Sequence, residues 1–522
     1  MNRNFFIVFG IGIFLTGTLL IFAFNFTSDE TPDEKFAESL SINSEIKIEK
    51  FCGTSDEKST HYVKEYKIPT ECSQPQAITF DDKGNVWFAQ SNTASIGKFD
   101  PLKEEFTYYE NPLWEGSDPT MIYGIDYAPD NSLWFTDDLY NSVWKFKIDK
   151  QQFYRFSFPS DGQSMPQKLK IMGSKMIVND FTGNKIAIFD LTSPDQNLNP
   201  FLLPSNNPRA VTSAVTLDNQ NNLWYPSWEL NATGVIIKIN QTSLDAAMQN
   251  LDFGSTEIDI EFFALPNRLS INGIEFDNEQ NLWLADSMSS NFFKFKPISG
   301  NKNFTKFVTS EPASDSFGNF SGGVTSPISR PTWIKHDALG NLVFIESDAN
   351  RIAIMNPKTE TLIEYEIPSK NPHWADCGGE PNCGRAQIFD FEIDGNKIWF
   401  TEWAENKIGF VDTSIEIPIH IEITPQELKL NQGEIKNFEI TLKSNSKNSL
   451  KVQPLVSNPN LESGIDIQLN FDKSSTFVDS ENPIKFNATV YAGNKTSDEY
   501  KILIGSLLQD VTISNFLSVI VE

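Results

Sequence analysis

The chain has 522 residues, enough for two or three folded units. It contains 42 Lys and Arg against 69 Asp and Glu, a formal net charge of −27. A surface this acidic repels nucleic acids and anionic lipid headgroups, so both are excluded as partners. The charge instead favours divalent cations or basic peptides as partners, or it serves solubility in a salty exterior.

Residues 5–24 form an uncharged stretch long enough to cross a hydrocarbon core of about 30 Å. Arg3 precedes this stretch and acidic residues follow it, so the positive-inside rule puts the tip 1–4 in the cytoplasm. A cleaved signal peptide is the alternative, but a signal peptide has a shorter hydrophobic core, and no small-x-small cleavage site closely follows residues 5–24. We therefore predict a single-pass anchor in the cell membrane and an extracytoplasmic linker at 25–58. Most of the chain then lies outside the cytoplasm.

The cysteines and glycosylation sequons agree with an exported chain. The four cysteines fall into two local pairs, Cys52 with Cys72 and Cys377 with Cys383, as expected of disulfides in an oxidising compartment. A zinc site is disfavoured because the whole chain has only four histidines. Sequons for N-linked glycans, which predict a glycoprotein, occur at Asn25, Asn231, Asn240, Asn303, Asn319, Asn487 and Asn494.

One pattern recurs seven times between residues 75 and 412. Each copy has an apolar strand, an Asp, Asn or Gly turn, a strand centred on Trp-Phe or a related pair, and a third strand after a polar loop. Apolar residues alternate within the copies, as at Ile78 and Phe80, which is strand spacing. Six copies are followed by a fourth segment, which usually ends in proline. Four antiparallel strands repeated seven times predict a seven-bladed β-propeller, because radial closure leaves few exposed sheet edges.

The last copy lacks a clear fourth strand, and we predict that residues 62–69 supply it and close the ring. The propeller then spans 59–414. From residue 415 to 522 short alternating strands continue without the Trp-Phe signature, which predicts a separate immunoglobulin-like β-sandwich. The predicted fold class is therefore all-β, with one N-terminal transmembrane helix.

The repeats resemble a known propeller family. FTEWAENKIGF, from Phe400, is similar to the recurring WFTE…NKIGR element of the virginiamycin B lyase (streptogramin lyase) family, which has NHL-type repeats. The likeness covers about 69–412. SINGIEFDNEQNLWLADS, from Ser270, resembles a stretch of the gluconolactonase-like propellers. A shared fold does not by itself imply a shared activity.

The resemblance implies particular site residues. In the lyase family a histidine at the start of a blade is the general base and nearby acids hold a metal, and Glu402 matches one of these acids. Phe389 takes the place of the histidine and Gln387 that of the other acid, so the family mechanism lacks its base. The gluconolactonase-like stretch puts Asn272 at a metal-ligand position. The predicted metal ligands are Glu402, Asp286 and Asn272, and the cation would be Mg²⁺ or Ca²⁺.

Strand direction places the ends of the Trp-Phe strands on the same face as the loops between blades. Five of the seven end positions are carboxylates, namely Asp137, Asp180, Asp286, Glu346 and Glu402. They admit two interpretations, which the sequence leaves open. They bind a divalent cation or a cationic ligand at a shared mouth, or each accepts backbone N–H groups from its own following loop.

Two long inter-blade segments, 311–330 and 369–386, enter this face, where long ordered insertions are often binding loops. The second contains His373, Trp374 and Arg385, and Trp403 follows Glu402. We predict Trp374, Trp403 and Arg385 as ligand-binding residues. His373 is a candidate base acting with Glu402, and a plain surface histidine is the alternative.

Three functions remain open. The first is a propeller that binds a small molecule, a glycan or a protein at its loop-rich face. The second is a metal-dependent lyase or hydrolase of a cyclic peptide ester or a lactone. The third is an architectural role in a cell envelope.

Overall fold

The computed structural model describes residues 52–522, apart from gaps at 54, 94, 115–119, 159–163, 184, 193–197, 205–208, 230–231, 250–257, 299–300, 319–326, 379, 381, 472–473 and 494–497. The predicted anchor at 5–24 lies outside the described residues. Among those residues, none of the helices has the length and apolar character needed to cross a membrane. The described helices are short: α1 (Gln241–Gln249), α2 (Ser314–Phe317) and the 3-10 turns Pro372–Trp374 and Leu461–Ser463.

The chain is otherwise built of β-strands, as predicted. Up to residue 412 most strands pair antiparallel with a chain neighbour into sheets of four or five strands, and the four strands of residues 331–366 belong to a nine-stranded sheet. Their bounds are β1 (Val63–Lys67), β2 (Pro75–Phe80), β3 (Val86–Gln90), β4 (Ser95–Asp100), β5 (Glu105–Glu110), β6 (Ile125–Ala128), β7 (Ser132–Asp137), β8 (Ser142–Lys147), β9 (Gln152–Ser157), β10 (Pro166–Met172), β11 (Lys175–Asp180), β12 (Lys185–Asp190), β13 (Phe201–Pro204), β14 (Val211–Thr212), β15 (Thr216–Leu217), β16 (Leu223–Trp228), β17 (Val235–Ile239), β18 (Ile260–Ala264), β19 (Ile271–Phe276), β20 (Leu282–Asp286), β21 (Asn291–Ile298), β22 (Asn301–Val308), β23 (Pro331–His336), β24 (Leu342–Glu346), β25 (Arg351–Asn356), β26 (Thr361–Glu366), β27 (Ile388–Asp394), β28 (Lys397–Glu402) and β29 (Lys407–Asp412).

These sheets form a closed ring. The first strands of neighbouring sheets lie side by side, as β2 does with β6, β6 with β10 and β19 with β23. The first strand of the last sheet, β27, contacts β2, so the series returns to its start. Strand β1 pairs antiparallel with β29, from Val63 opposite Val411 to Lys67 opposite Lys407. The fold is a β-propeller in which the first strand belongs to the last sheet.

A repeated aspartate explains the hairpin turns and the tryptophan that follows them. Asp277 accepts hydrogen bonds from the backbone and side chain of Asn281 and from Nε1 of Trp283, at 2.8–3.1 Å. The same arrangement joins Asp81 to Trp87 and Asp218 to Trp224, each at 2.9 Å. Because the tryptophan rings are buried between sheets, their N–H groups need an internal acceptor. The Asp turn thus fixes both the hairpin and the core aromatic residue.

Charged side chains from the first strands tie the sheets together at the centre of the ring. Lys168 on β10 pairs with Asp390 on β27 at 2.7 Å, and its ammonium lies 4.4 Å from the ring centroid of Trp333. Lys335 on β23 pairs with Glu392 on β27 at 2.8 Å. The first pair joins sheets that are distant in sequence and the second joins consecutive sheets. Because Lys168 and Asp390 are largely buried, the loss of one of these two partners is costly.

The C-terminal strands form two further sheets packed face to face. Their bounds are β30 (Ile419–Thr424), β31 (Glu427–Leu430), β32 (Ile435–Ser444), β33 (Leu450–Ser457), β34 (Ile465–Leu469), β35 (Thr476–Val478), β36 (Ile484–Ala492), β37 (Glu499–Leu508) and β38 (Val511–Val521). One sheet has the order β30-β32-β36-β34. In the other, β38 lies between β37 and β26, so this sheet continues into the propeller.

This junction differs from the separate unit that the sequence analysis expected. Strand β38 pairs antiparallel with the outer strand β26, from Asn515 opposite Thr361 to Val511 opposite Tyr365. The ring of Phe516 packs 4.9 Å from that of Phe307 on β22. The outer edge of a propeller sheet offers unpaired backbone groups, and here the C-terminal strand uses them. The two parts are therefore joined by a shared sheet and a shared core.

Candidate functional site

Three of the five predicted end carboxylates lie buried within their own turns. Asp137 accepts hydrogen bonds from Thr120 Oγ1 at 2.7 Å, the Leu139 backbone at 3.0 Å and Trp144 Nε1 at 2.9 Å. Asp180 is bonded by Ser164, Met165 and Gly183, and Asp286 by Ser270, Met288 and Ser289. Burial raises the pKa of all three carboxyl groups, although these hydrogen bonds act in the opposite direction. The local interpretation therefore accounts for these carboxylates, and a ligand-binding role for them stays a prediction.

Glu346 belongs to a buried group of three charges. Its Oε2 accepts a hydrogen bond from Arg351 at 2.8 Å, and Arg351 lies 3.6 Å from Glu364. Ser310 donates its backbone N–H to Glu364 and accepts from Arg351 through its side chain. Burial, together with the charge of Glu364, raises the pKa of Glu346 well above its usual range despite the nearby guanidinium. A carboxylate held in this way is a structural member of the sheet.

Glu402 occupies the matching position in the last sheet, but its contacts differ. Burial and the neighbouring Glu65 raise its pKa well above the usual range, against the attraction of Lys407, and Glu405 adds to the rise. Neither oxygen of Glu402 receives a hydrogen bond from an N–H or hydroxyl donor among the described residues. A protonated Glu402 can donate to Glu65. The buried Lys407 ammonium instead donates to Ser369 Oγ at 2.6 Å and approaches Glu65 at 3.3 Å.

Sequence reasoning missed the cations of these two groups, although a signal was present. Each cation follows its glutamate by five residues, as Arg351 follows Glu346 and Lys407 follows Glu402. The hairpin register puts the two members of each pair directly opposite each other. A carboxylate at the end of one strand and a cation at the start of the next are therefore cross-strand partners. Glu65 had no such signal, because its position depends on the pairing of β1 with β29.

The two long inter-sheet loops meet on the face where these strands end. Gly384 donates its backbone N–H to the Asp315 carbonyl at 2.7 Å, and Asp376 donates to Phe317 at 3.2 Å. Gly318 has a φ of 74°, and a Cβ there would lie 1.9 Å from the Asp376 carbonyl oxygen, so the close approach requires glycine. The disulfide between Cys377 and Cys383 closes the second loop, and that between Cys52 and Cys72 also forms, as predicted.

Aromatic and cationic side chains gather beside these loops in what we call the loop-face cluster, formed by Trp374, Trp403, Arg385, Arg330 and Asp348. The Trp374 and Trp403 rings pack edge to face with centroids 4.9 Å apart. Arg385 donates to the Trp374 carbonyl at 2.8 Å, and both arginines bind Asp348. Trp403 is 7% exposed, and its indole N–H has no partner within the described chain. The predicted residues Trp374, Trp403 and Arg385 are thus brought together. Arg330 and Asp348 were missed by sequence reasoning, because no pattern in the repeats singles them out.

His373 is not part of a proton relay in this structure. It lies in the 3-10 turn Pro372–Trp374, where its backbone N–H donates to Asn371 Oδ1 at 3.0 Å. The residue is exposed, and its imidazole makes no hydrogen bond or ion pair within the described part of the chain. This arrangement is that of the surface histidine named as the alternative, and a role of His373 as a base with the buried Glu402 stays a prediction.

The predicted metal ligands do not form one site. No group of three or more His, Cys, Asp or Glu side chains suited to a metal occurs among the residues that the structure describes. Asp286 is engaged in its own turn, Asn272 donates to Ser287 at 2.8 Å, and Glu402 has the Lys407 ammonium as a neighbour. A lysine cation beside the carboxylate competes electrostatically with a divalent ion. The donor set therefore does not fit Mg²⁺ or Ca²⁺, and no catalytic step is routed through a metal.

Residues 56–290 match the virginiamycin B lyase family. The match spans less than half of the chain and ends before Glu402. The virginiamycin B lyase of Staphylococcus aureus has a similar structure, at 21% identity, 68% coverage of this chain, 99% of that chain and a TM-score of 0.50. A catalytically inactive variant of that lyase with quinupristin gives the same values. Weaker similarity extends to regucalcin, a calcium-binding protein of Agrobacterium tumefaciens, at 12% identity, coverages of 56% and 89% and a TM-score of 0.35.

The resemblance to virginiamycin B lyase propellers, inferred from the repeats, is confirmed. No curated protein matches the chain significantly. At 21% identity the structural likeness shows the fold and leaves the activity open. The position that the resemblance assigns to the family histidine holds Phe389, whose ring packs 5.5 Å from that of Tyr123. An aromatic hydrocarbon side chain cannot accept a proton, so the general base of the family mechanism is missing at this position.

Proposed function

We propose that this protein is a membrane-anchored, extracytoplasmic binding protein whose seven-bladed propeller takes a small molecule, a glycan or a protein at its loop-rich face. The anchor is the stretch 5–24, and the C-terminal strands form an immunoglobulin-like sandwich against the propeller. The acidic composition, the cysteine pairs and the sequons support an exterior location.

The observation that carries this proposal is the Trp403 indole N–H in the loop-face cluster. A buried donor without an acceptor is costly, and such groups are rare unless something else satisfies them. Trp374 offers an aromatic surface that packs against Trp403, and Arg385 donates to the Trp374 carbonyl. Arg330 shares the Asp348 carboxylate with Arg385. A ligand with a carbonyl or hydroxyl acceptor and a flat apolar group matches these features.

The test is ligand binding by the purified ectodomain, using quinupristin and a glycan panel as probes and titration calorimetry as the measurement. Removing one buried hydrogen bond costs roughly 1–3 kcal/mol, so Trp403→Phe should weaken binding about 5- to 100-fold. Trp283→Phe, which changes a core tryptophan away from the cluster, is the matched control and should leave affinity unchanged. Equal affinities of the wild type and Trp403→Phe would contradict this assignment.

A lyase or hydrolase acting on a cyclic peptide ester or a lactone is the second candidate. The observation in its favour is Glu402, a buried carboxylate that no cation among the described residues binds directly, whereas Arg351 binds the equivalent Glu346. Conversion of quinupristin, followed by liquid chromatography, tests this candidate. If the wild type converts quinupristin and Glu402→Gln abolishes the conversion, the protein is an enzyme and the binding-only function is wrong. If quinupristin binds without being converted, the enzymatic function is wrong.

A further inference from the structure

The segment that precedes β1 lies across the end of the last sheet. We call its described residues, Cys52, Gly53 and Ser55–Lys58, the N-terminal strap. Gly53 donates its backbone N–H to the Ala404 carbonyl at 2.6 Å, in the turn that joins β28 to β29. A Cβ on Gly53 would lie 2.0 Å from Glu405 Oε1, so the strap sits directly on this turn.

The strap binds every charged neighbour of Glu402. Ser55 donates to Glu405 at 2.6 Å, and the Lys58 backbone donates to Glu65 at 2.9 Å. Lys407 donates to Ser55 Oγ at 3.0 Å and to the Asp56 carbonyl at 2.9 Å. The strap therefore supplies two of the four oxygen atoms to which the buried Lys407 ammonium donates. Glu402 beneath it is fully buried.

The Glu346 group in the preceding sheet shows how a propeller sheet holds the equivalent carboxylate without a strap. There Arg351 reaches Glu346 directly, and the linker residue Ser310 completes the group. In the last sheet Ser369 holds the place of Ser310, but the cation is a lysine with two of its four acceptors in the strap. Arginine presents a planar fork of donors, whereas lysine is a point charge that follows its nearest acceptors. The strap thus helps to hold the cation away from Glu402, whose carboxylate has no direct donor among the described residues.

A disulfide holds the strap in place. Cys52 is joined to Cys72, and the next residue, Ser73, donates to Asn406 through its backbone at 2.8 Å and its hydroxyl at 2.7 Å. Both ends of the crosslink are therefore fixed to the β28–β29 turn. Cys72 is partly exposed, so a small reductant has access to the bond.

We propose that the N-terminal strap is a redox-dependent cover over Glu402, and that reduction of the Cys52–Cys72 disulfide releases it. A dithiol reductant supplies two electrons and two protons, which convert the disulfide to two thiols while the reductant becomes a disulfide. The released strap then gives up its bonds to Glu405, Lys407 and Glu65. Glu402 becomes accessible beside Trp403, and this holds whatever ligand the loop face takes.

The test is chemical labelling of carboxyl groups in the full chain with a water-soluble carbodiimide and glycine ethyl ester, read by peptide mass spectrometry. Labelling of Glu402 is compared in the oxidised protein, in the protein treated with dithiothreitol, and in Cys52→Ser/Cys72→Ser. Local opening of the strap should raise Glu402 labelling at least about tenfold in the last two. The matched control is Glu346, the equivalent carboxylate without a strap, whose labelling should stay constant.

Two further variants separate strap release from general loosening. Ser55→Ala removes the hydrogen bonds of the strap to Glu405 and Lys407 while keeping both disulfides, and it should raise Glu402 labelling in the same direction as reduction. Cys377→Ser/Cys383→Ser removes the other disulfide and should leave Glu402 protected. The proposal is overturned if Glu402 stays protected after reduction, or if Glu402 and Glu346 become labelled together. Neither result depends on ligand binding, so failure here is distinct from failure of the proposed function.

Discussion

Replacing Asp277 by alanine tests whether the Asp turn fixes the buried tryptophan. The carboxylate accepts hydrogen bonds from the Glu279 and Asn281 backbones, the Asn281 side chain and Trp283 Nε1. Asp337 in the next sheet accepts the matching bonds from Leu339 and Asn341 and has no tryptophan partner. The two turns differ by the tryptophan bond and by burial, since Asp277 and Asn281 are buried whereas Asp337 and Asn341 are half-buried, and Asp337→Ala is an internal control for the shared turn bonds.

The loss of unfolding free energy in each variant follows from the hydrogen-bond donors that the substitution leaves without an acceptor. Backbone N–H groups of an exposed turn regain water, so we expect Asp337→Ala to cost about 1–2 kcal/mol. Trp283 is fully buried and its N–H cannot reach water, which adds roughly 1–3 kcal/mol for Asp277→Ala. The expected cost of Asp277→Ala is therefore about 2–5 kcal/mol, with the excess over Asp337→Ala assigned to the indole.

Urea unfolding of the full chain, followed by far-UV circular dichroism, measures both costs. A double-mutant cycle with Trp283→Phe isolates the indole bond, because phenylalanine has no N–H to satisfy. In that background the excess of Asp277→Ala over Asp337→Ala should fall by the roughly 1–3 kcal/mol of the indole bond. The reasoning is refuted if Asp277→Ala costs no more than Asp337→Ala, or if the excess is undiminished after Trp283 is replaced.

Three further predictions concern charge and packing. Burial raises the pKa of Asp126 to about 6, so its stabilising contribution is complete below the unfolded value of about 4 and is lost as the pH rises through 6. Asp126→Asn should make the free energy of unfolding fall less between pH 4 and 7, and an unchanged pH profile would contradict this. Arg351→Met should cost about 3–5 kcal/mol in urea unfolding by leaving buried carboxylates without a cation, and adding Glu346→Gln should recover part of the loss. Phe516→Ala should cost about 3–5 kcal/mol, and a cycle with Phe307→Ala should show coupling of about 0.5–1.5 kcal/mol, whereas additivity would show that the two rings act independently.

The fold was predictable because its signals are local and repeated. The alternation at positions such as Ile78 and Phe80, and the recurring Trp-Phe strand, depend on side chains within one hairpin. Both disulfides were predictable because each joins cysteines that are close in sequence. The joining of β26 to β38 was not predictable, because an edge strand pairs through backbone groups that carry no side-chain pattern.

For the candidate site, the sequence predicted which positions hold the candidate side chains but not which residues these side chains contact. The end carboxylates could be counted from the repeats, but their burial could not, because their partners lie on other segments. Thr120 binds Asp137 from the preceding linker, and Glu65 approaches Glu402 from the far end of the propeller chain. Trp374, Trp403 and Arg385 could be grouped because strand direction assigns their loops to one face.

The comparison of Glu346 with Glu402 shows why resemblance alone does not assign an activity to this chain. Both glutamates end equivalent strands and face a cation five residues later, so a repeat alignment gives them the same role. Their chemistry differs because one cation is an arginine that binds the carboxylate and the other is a lysine held by a segment from outside the repeats. That segment lies in a stretch that the sequence assigned to a linker. The chemical environment of Glu402 is thus set by the N-terminal strap, and any activity of this carboxylate depends on whether the strap opens.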